Sequence, residues 1–165
     1  SQILVRWSES PAIGIVEFKD QCEYEYRNLL PITPIDGTSI RDIRRFSTQL
    51  EAGGITGCNE DLPEAFHLAL RDALELQWRP DSKEKVIIVI SDQIPYPNQI
   101  GQTKNLAQRF VSDLGGRVSV VHVIQSWSTP GDRRILEQIA TQGNGDYIVG
   151  GPSSSFIGSV LLAVR

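Results

Sequence analysis

Cysteine is scarce in this chain, and its scarcity excludes two common ways of stabilising a small domain. The sequence of 165 residues contains only Cys22 and Cys58, too few for a disulfide framework. They do not form a Cys-x-x-Cys pair, the spacing typical of zinc and redox sites. A chain of this length buries roughly 70% of the surface of its unfolded state. We therefore predict a single domain over residues 1–165, stabilised by an ordinary hydrophobic core.

Long apolar runs and an excess of positive charge are also absent. No stretch approaches the ~18 consecutive apolar residues of a transmembrane helix, so we expect no membrane span. Acidic residues outnumber basic ones, 20 against 16, and the net charge is -4. Binding to a phosphate backbone requires a basic surface, so we expect no nucleic acid partner. The chain does not begin with Met, and we interpret it as a processed or excised piece of a longer protein.

The sequence lacks the motifs of several large enzyme classes. No Gly-x-Gly-x-x-Gly follows a predicted strand, and neither a Gly-Lys-Ser phosphate loop nor a Gly-x-Ser-x-Gly nucleophile elbow occurs. The two histidines, His67 and His122, fall within a predicted helix and a predicted buried strand. Histidines in such places usually have structural roles. We therefore expect that the protein is not an enzyme.

What the sequence does contain is a strongly hydrophobic stretch, Val86 to Ile90, followed by Ser91 and Asp92. Five consecutive aliphatic residues without polar alternation are typical of a central strand of a parallel sheet, covered on both faces. Open α/β sheets bind ligands at the carboxyl ends of their strands. Asp92 is therefore the first candidate for a functional residue. The alternative is that its carboxylate caps the following turn through its own backbone.

Predicted strands and helices alternate along the rest of the chain. Residues 12–18 are predicted as a largely buried strand, in which Gly14 permits the close approach of another backbone. Residues 22–30 alternate charged and aromatic side chains, as an edge strand of a hairpin does, and Pro31 and Pro34 predict a loop after it. Residues 2–7 are too short to assign by periodicity, and we favour the end of a helix.

Helix starts are predicted at Ser39, at Asp61 as an N-cap with Glu64 in a capping box, at Thr103, at Thr129 and at Ser153. Further strands are predicted at residues 117–124 and 147–149. This order predicts an α/β fold with a doubly wound, mostly parallel sheet, flanked by helices on both faces, and one antiparallel edge strand. The helix from Ser39 carries Arg41, Arg44 and Arg45. We interpret these arginines as spread around a solvated helix, the alternative being a basic patch.

Three features together resemble the von Willebrand factor type A domain, over nearly the whole chain. They are the loop Gly53-Gly54-Ile55-Thr56 before a long helix, the strand that ends in Asp92, and the helix, glycine-rich turn and strand of residues 135–147. In that family a divalent cation, usually Mg²⁺, is held by an Asp-x-Ser-x-Ser loop, a threonine and an aspartate. The resemblance implies Thr56 and Asp92 as metal ligands. A Mg²⁺ ion with an open position can bind a carboxylate of a partner protein.

Two parts of the family pattern differ in this chain. The strand at Ile13 is similar to the family's second strand, and the twelve residues before it leave no room for the first strand and its Asp-x-Ser-x-Ser loop. Residues 61–65, Asp-Leu-Pro-Glu-Ala, are similar to one branch of the family. If the chain is aligned with that branch, Thr56 need not face the metal. We therefore expect an incomplete metal-ion-dependent adhesion site that binds Mg²⁺ weakly or not at all.

The resemblance implies a protein-binding module for adhesion or assembly, with a partner surface formed by Thr56, Asp61, Asp92 and Gln93. One alternative is a doubly wound hydrolase that uses Asp92, and another is a purely structural copy of the domain. Absence of the first strand predicts a gap in the sheet between the strands at Ile13 and Val86. In the same topology Cys22 and Cys58 lie at one end of the domain, where a disulfide between them is feasible.

Overall fold

The architecture is α/β in the computed structural model, which describes residues 11–18, 28–50, 63–126 and 128–150. One turn of 3₁₀ helix, Pro97–Gln99, precedes the third α-helix. The strands and α-helices in chain order are β1 (Ala12–Val16), β2 (Leu29–Pro34), α1 (Ile40–Ser47), α2 (Phe66–Glu75), β3 (Val86–Ser91), α3 (Ile100–Leu114), β4 (Arg117–Val123), α4 (Pro130–Gln142) and β5 (Asn144–Gly150).

β3, β4 and β5 form a parallel sheet with β4 in the middle. The helices α3 and α4 connect successive strands of this sheet, as parallel pairing requires. Every residue from Val118 to His122 is buried, whereas Ile90 of β3 is 39% exposed. The prediction that the strand at Val86 is central is therefore wrong for the described sheet. β3 lies at the edge of that sheet. The prediction failed because an aliphatic run specifies a strand but not its place in the order of strands.

Three helices, α2, α3 and α4, form one layer against one face of this sheet. The opposite face carries Ile88, Ile90 and Val121, which do not belong to the core formed with these helices. The α/β class is thus confirmed, while helices on both faces are not seen among the described residues. The fully buried large apolar side chains of the helical layer are those of Phe66, Leu70, Phe110, Leu136 and Ile139.

β1 and β2 pair antiparallel, as predicted, but the second strand lies later in the chain than expected. It includes Pro31 and Pro34, which were expected to lie in a loop. The register shifts between Ile13 and Ile15, so Pro31 lies at the irregularity, and Pro34 is the last residue of the strand. Proline is tolerated at bulges and strand ends, where its missing N–H breaks no regular pair of hydrogen bonds.

The described strands form two separate sheets, and α2 packs between them and joins their cores. Phe18, just after β1, packs edge to face on Phe66 at the start of α2, with ring centroids 5.1 Å apart. A Cβ on Gly14 would lie 2.8 Å from Leu76 Cδ1, so the close approach predicted there involves a side chain. The break between β1 and β3 falls where the sequence predicts a missing strand.

Several sequence predictions fall on residues that lie outside the described ranges. These are the helix end at residues 2–7, both cysteines and their disulfide, Thr56, Asp61 and the helix from Ser153. Among the helices that are described, none combines the length and the hydrophobicity that crossing a bilayer would demand.

Candidate functional site

Asp92 lies directly after β3, half-buried in a bend at the carboxyl edge of the parallel sheet. The turn that follows is held by the neighbouring hydroxyl group. Ser91 Oγ accepts a hydrogen bond from the Gln93 N–H and donates one to the Gln93 carbonyl, both at 3.1 Å. No hydrogen bond or ion pair joins Asp92 to another described residue. Ser91 therefore has the turn-capping role that the alternative interpretation gave to Asp92.

A second segment lies beside this turn because Glu64 pairs with Pro95 in a parallel β-bridge. The Glu64 N–H donates to the Ile94 carbonyl at 2.9 Å. This pairing keeps residues 63–65 out of α2, which begins at Phe66 rather than after an N-cap at Asp61. The predicted capping box at Glu64 is wrong, since its backbone N–H is used by a distant strand extension. The chain thus enters α2 directly beside the turn that presents Asp92.

The buried His122 and the partly buried Tyr147 form a pair at the same edge of the sheet, which the sequence did not predict. His122 is aligned with Ser91 across the sheet and is only 1% exposed. Its Nδ1 lies 2.8 Å from the Tyr147 hydroxyl, and its buried Nε2 has no hydrogen-bond partner among the described residues. The two residues are 25 positions apart. Only the parallel register of β4 and β5 brings them together, so sequence spacing could not reveal the pair.

Burial and nearby charges shift the pKa values of His122 and Tyr147 in opposite directions. Burial lowers the pKa of His122, and the carboxylates of Asp132 and Asp92 partly oppose this by stabilising the protonated ring. Burial raises the pKa of Tyr147, which the nearby Arg133 guanidinium partly offsets. That guanidinium lies 5.7 Å from the centre of the tyrosine ring, within the range of a cation–π contact. The pair is therefore favoured in its neutral form.

Only two of the four predicted surface residues can be located, and these two are adjacent. Asp92 and Gln93 lie together in the bend, whereas Thr56 and Asp61 are outside the described residues. Within the described ranges, no three side chains of His, Cys, Asp or Glu gather into a group that could hold a metal ion. Asp92 is the one described residue implied as a Mg²⁺ ligand. A single carboxylate falls well short of the near-octahedral oxygen set that Mg²⁺ requires.

The site is thus a half-buried carboxylate on a braced turn, next to the entry of α2 and beside the contact between the buried His122 and the partly buried Tyr147. A scan against protein-family models finds no match for this chain, and a search of curated proteins finds none either.

Proposed function

We propose that this chain is a protein-binding module of the von Willebrand factor type A kind, with an incomplete metal-ion-dependent adhesion site. The partner would bind the carboxyl-edge surface, which we define as Asp92, Gln93 and the preceding loop residues Thr56 and Asp61. The observation that carries the proposal is the pairing of Glu64 with Pro95. It sets the segment that follows Asp61 beside the turn that follows Asp92, as a shared binding surface requires.

The state of Asp92 supports a role in binding. Its carboxylate is half-buried, and no described residue forms an ion pair or hydrogen bond with it. The Ser91 hydroxyl braces the turn on which it stands. A carboxylate held in place without an internal partner can pair with a cationic group of another protein at little conformational cost. Loops at this edge of an open α/β sheet are the usual place for ligand contacts.

The proposed fold includes a second helical layer on the other face of the sheet. That face carries the aliphatic side chains of Ile88, Ile90 and Val121. Val121 is fully buried although it lies outside the core formed with α2, α3 and α4. An aliphatic sheet face of this kind is favourable when it is covered, which supports the doubly wound arrangement.

The hydrolase alternative finds less support in the surroundings of Asp92. The histidine beside it, His122, is 1% exposed and has its pKa lowered by burial. A general base must come within hydrogen-bonding reach of the proton that it abstracts. An imidazole buried under the sheet edge cannot contact a substrate bound above Asp92, so we favour binding over catalysis.

The experiment compares proteins captured by the wild-type chain, by Asp92→Ala and by the control Asp81→Ala. Asp81 is an exposed carboxylate in the turn before β3, so Asp81→Ala changes the net charge by the same amount as Asp92→Ala. A partner of the carboxyl-edge surface is retained by the wild type and by D81A. With purified components, its affinity for D92A should fall by about ten-fold or more.

Two arms of the experiment separate the alternatives. Each captured partner is titrated with Mg²⁺ present and with a chelator, which measures any contribution of the metal. Equal affinity for the wild type and D92A, when circular dichroism shows both to be folded, would contradict the proposed binding surface. Hydrolysis of ester or phosphoester substrates that is lost in D92A would favour the hydrolase instead.

A further inference from the structure

The helix α1 presents three arginines on one side. Arg41, Arg44 and Arg45 are all exposed, and at about 100° per residue they fall within an arc of about 100° around the helix axis. Phe46, the buried residue of α1, lies on the opposite side. Their exposure confirms the expected solvation, but they lie on one side of the helix rather than around it. They form a single cationic surface, which we call the α1 arginine face.

Among the described residues, the arginines of this face have no carboxylate partner, whereas three arginines on other helices do. Arg71 pairs with Asp72 at 3.0 Å, Arg109 with Asp113 at 3.4 Å and Arg133 with Glu137 at 2.7 Å. In the part of the chain that the structure describes, none of the three α1 arginines forms a salt bridge. Asp42, the one acidic residue of α1, pairs with none of them.

This concentration of positive charge is not a consequence of overall composition. The chain has 20 acidic and 16 basic residues, so three cations within one and a half turns, with no ion-pair partner among the described residues, are a local feature. Repulsion between like charges on neighbouring turns of a helix is unfavourable. An anionic group bound across the three guanidinium groups would remove that repulsion.

Exposed apolar residues precede and follow α1 in the chain. Ile35, shortly before α1, is 40% exposed, and Leu50, shortly after it, is 39% exposed. Arginine is among the residues enriched in protein–protein interfaces, whose central parts are apolar. The combination matches a partner that supplies both carboxylates and aliphatic side chains.

The arginine face lies at the opposite end of β1 from the start of α2. The Ile35 N–H donates to the Pro11 carbonyl, and Pro34 is paired with Ala12, so α1 follows the amino end of β1. Phe18, at the other end of β1, packs on Phe66. The start of α2 is also where Glu64 pairs with Pro95. The arginine face is thus separate from the turn that carries Asp92 and Gln93.

We propose that the α1 arginine face binds an acidic segment of a partner protein, one that carries aliphatic side chains among its carboxylates. The planar guanidinium group binds a carboxylate through two parallel hydrogen bonds. Nucleic acid and anionic membranes would need an extended basic surface, and the net charge of -4 opposes their approach. An acidic protein segment needs only the local charge that α1 provides.

The test measures fluorescence anisotropy of a labelled peptide of alternating Glu and Leu residues added to the intact chain. The matched peptide has Gln in place of Glu. R41Q/R44Q/R45Q removes the arginine face, and the control K83Q/R109Q/R134Q removes three exposed positive charges elsewhere. We expect saturable binding of the Glu peptide that is weakened about ten-fold or more only in the first variant. Raising the salt concentration should weaken it further.

Three results would overturn the proposal. The first is that the Glu peptide shows no saturable binding, and the second is that the Gln peptide binds as tightly as the Glu peptide. The third is that R41Q/R44Q/R45Q, with the melting temperature of the wild type, binds the Glu peptide as tightly as the wild type does. A DNA duplex or phosphatidylserine vesicles that bind more tightly than the peptide would replace the acidic protein with another class of partner. A dimer that sedimentation detects in the wild type but not in that variant would assign the face to a second copy. Asp92→Ala should leave peptide binding unchanged, so this proposal and the proposed function can fail independently.

Discussion

At the scale of single residues, His122 couples the fold to pH. Burial lowers the pKa of His122 below the ordinary value of about 6.5, and burial followed by the charge of Arg71 lowers the pKa of His67. Both rings are neutral in folded and unfolded chains above that value. Below it, the unfolded chain takes up protons first, so the folded state loses stability as the pH falls.

We expect the free energy of unfolding to fall between pH 7 and pH 5, by at most about 1.4 kcal/mol per pH unit for each histidine. Urea unfolding of the wild type, His122→Gln and His67→Gln at a series of pH values measures this dependence. Each single variant should show a shallower dependence than the wild type. A pH dependence that neither substitution changes would assign the loss of stability to other groups.

The prediction of weak or absent Mg²⁺ binding depends on Asp92. Among the described residues it is the one carboxylate implied as a Mg²⁺ ligand, and it belongs to no group of three metal-binding side chains there. We expect isothermal titration with Mg²⁺ or Mn²⁺ to show no saturable binding tighter than the millimolar range, on the order of 1 mM. Tighter binding that Asp92→Ala abolishes would show that the chain contains a complete site with other ligands.

At the scale of elements, local signals predicted the start of one helix and failed for another. α4 starts where it was predicted, at Thr129, and its start has a capping box: Thr129 Oγ1 accepts from the Asp132 N–H, and Asp132 Oδ2 accepts from the Thr129 N–H. The start of α2 does not, because pairing with Pro95 takes the backbone of Glu64. Capping motifs therefore predict a helix start only where no distant strand competes for the same backbone groups.

The strand β5 depends on a glycine that lies against the backbone of β4. A Cβ on Gly145 would lie 2.3 Å from the Val118 carbonyl oxygen, and that oxygen cannot move without displacing the central strand. We expect Gly145→Ala to lower the free energy of unfolding by about 1 to 3 kcal/mol, as measured by urea denaturation.

Gly101, within α3, is the matched control for Gly145. No atom lies within 4 Å of a Cβ built there, and alanine favours helix over glycine by up to about 1 kcal/mol. Gly101→Ala should therefore be neutral or stabilising. If both substitutions destabilised the chain equally, contact with Val118 would not be the cause.

At the scale of the whole molecule, the order of strands and helices along the chain predicted more of the fold than the residue pattern within any single strand did. The order of elements after residue 85 predicted the parallel β3–β4–β5 sheet with its connecting helices. It could not show that β4 is the middle strand, because an aliphatic run such as Val86 to Ile90 is compatible with a central or an edge position. The position of Asp92 just after a strand was predicted correctly because a strand end is visible in the sequence. The His122–Tyr147 contact was not, since it depends on register.

The joining of the two sheets through α2 has a consequence for how the molecule opens. Described residues of β1 and β2 share no hydrogen-bonded ladder with β3, and packing such as that of Phe18 on Phe66 connects them to the larger core. Regions with few buried contacts open more readily than a core strand does. Amide hydrogens of the β1–β2 hairpin should therefore exchange with deuterium through a subglobal opening, well before those of β4, which are released only on global unfolding.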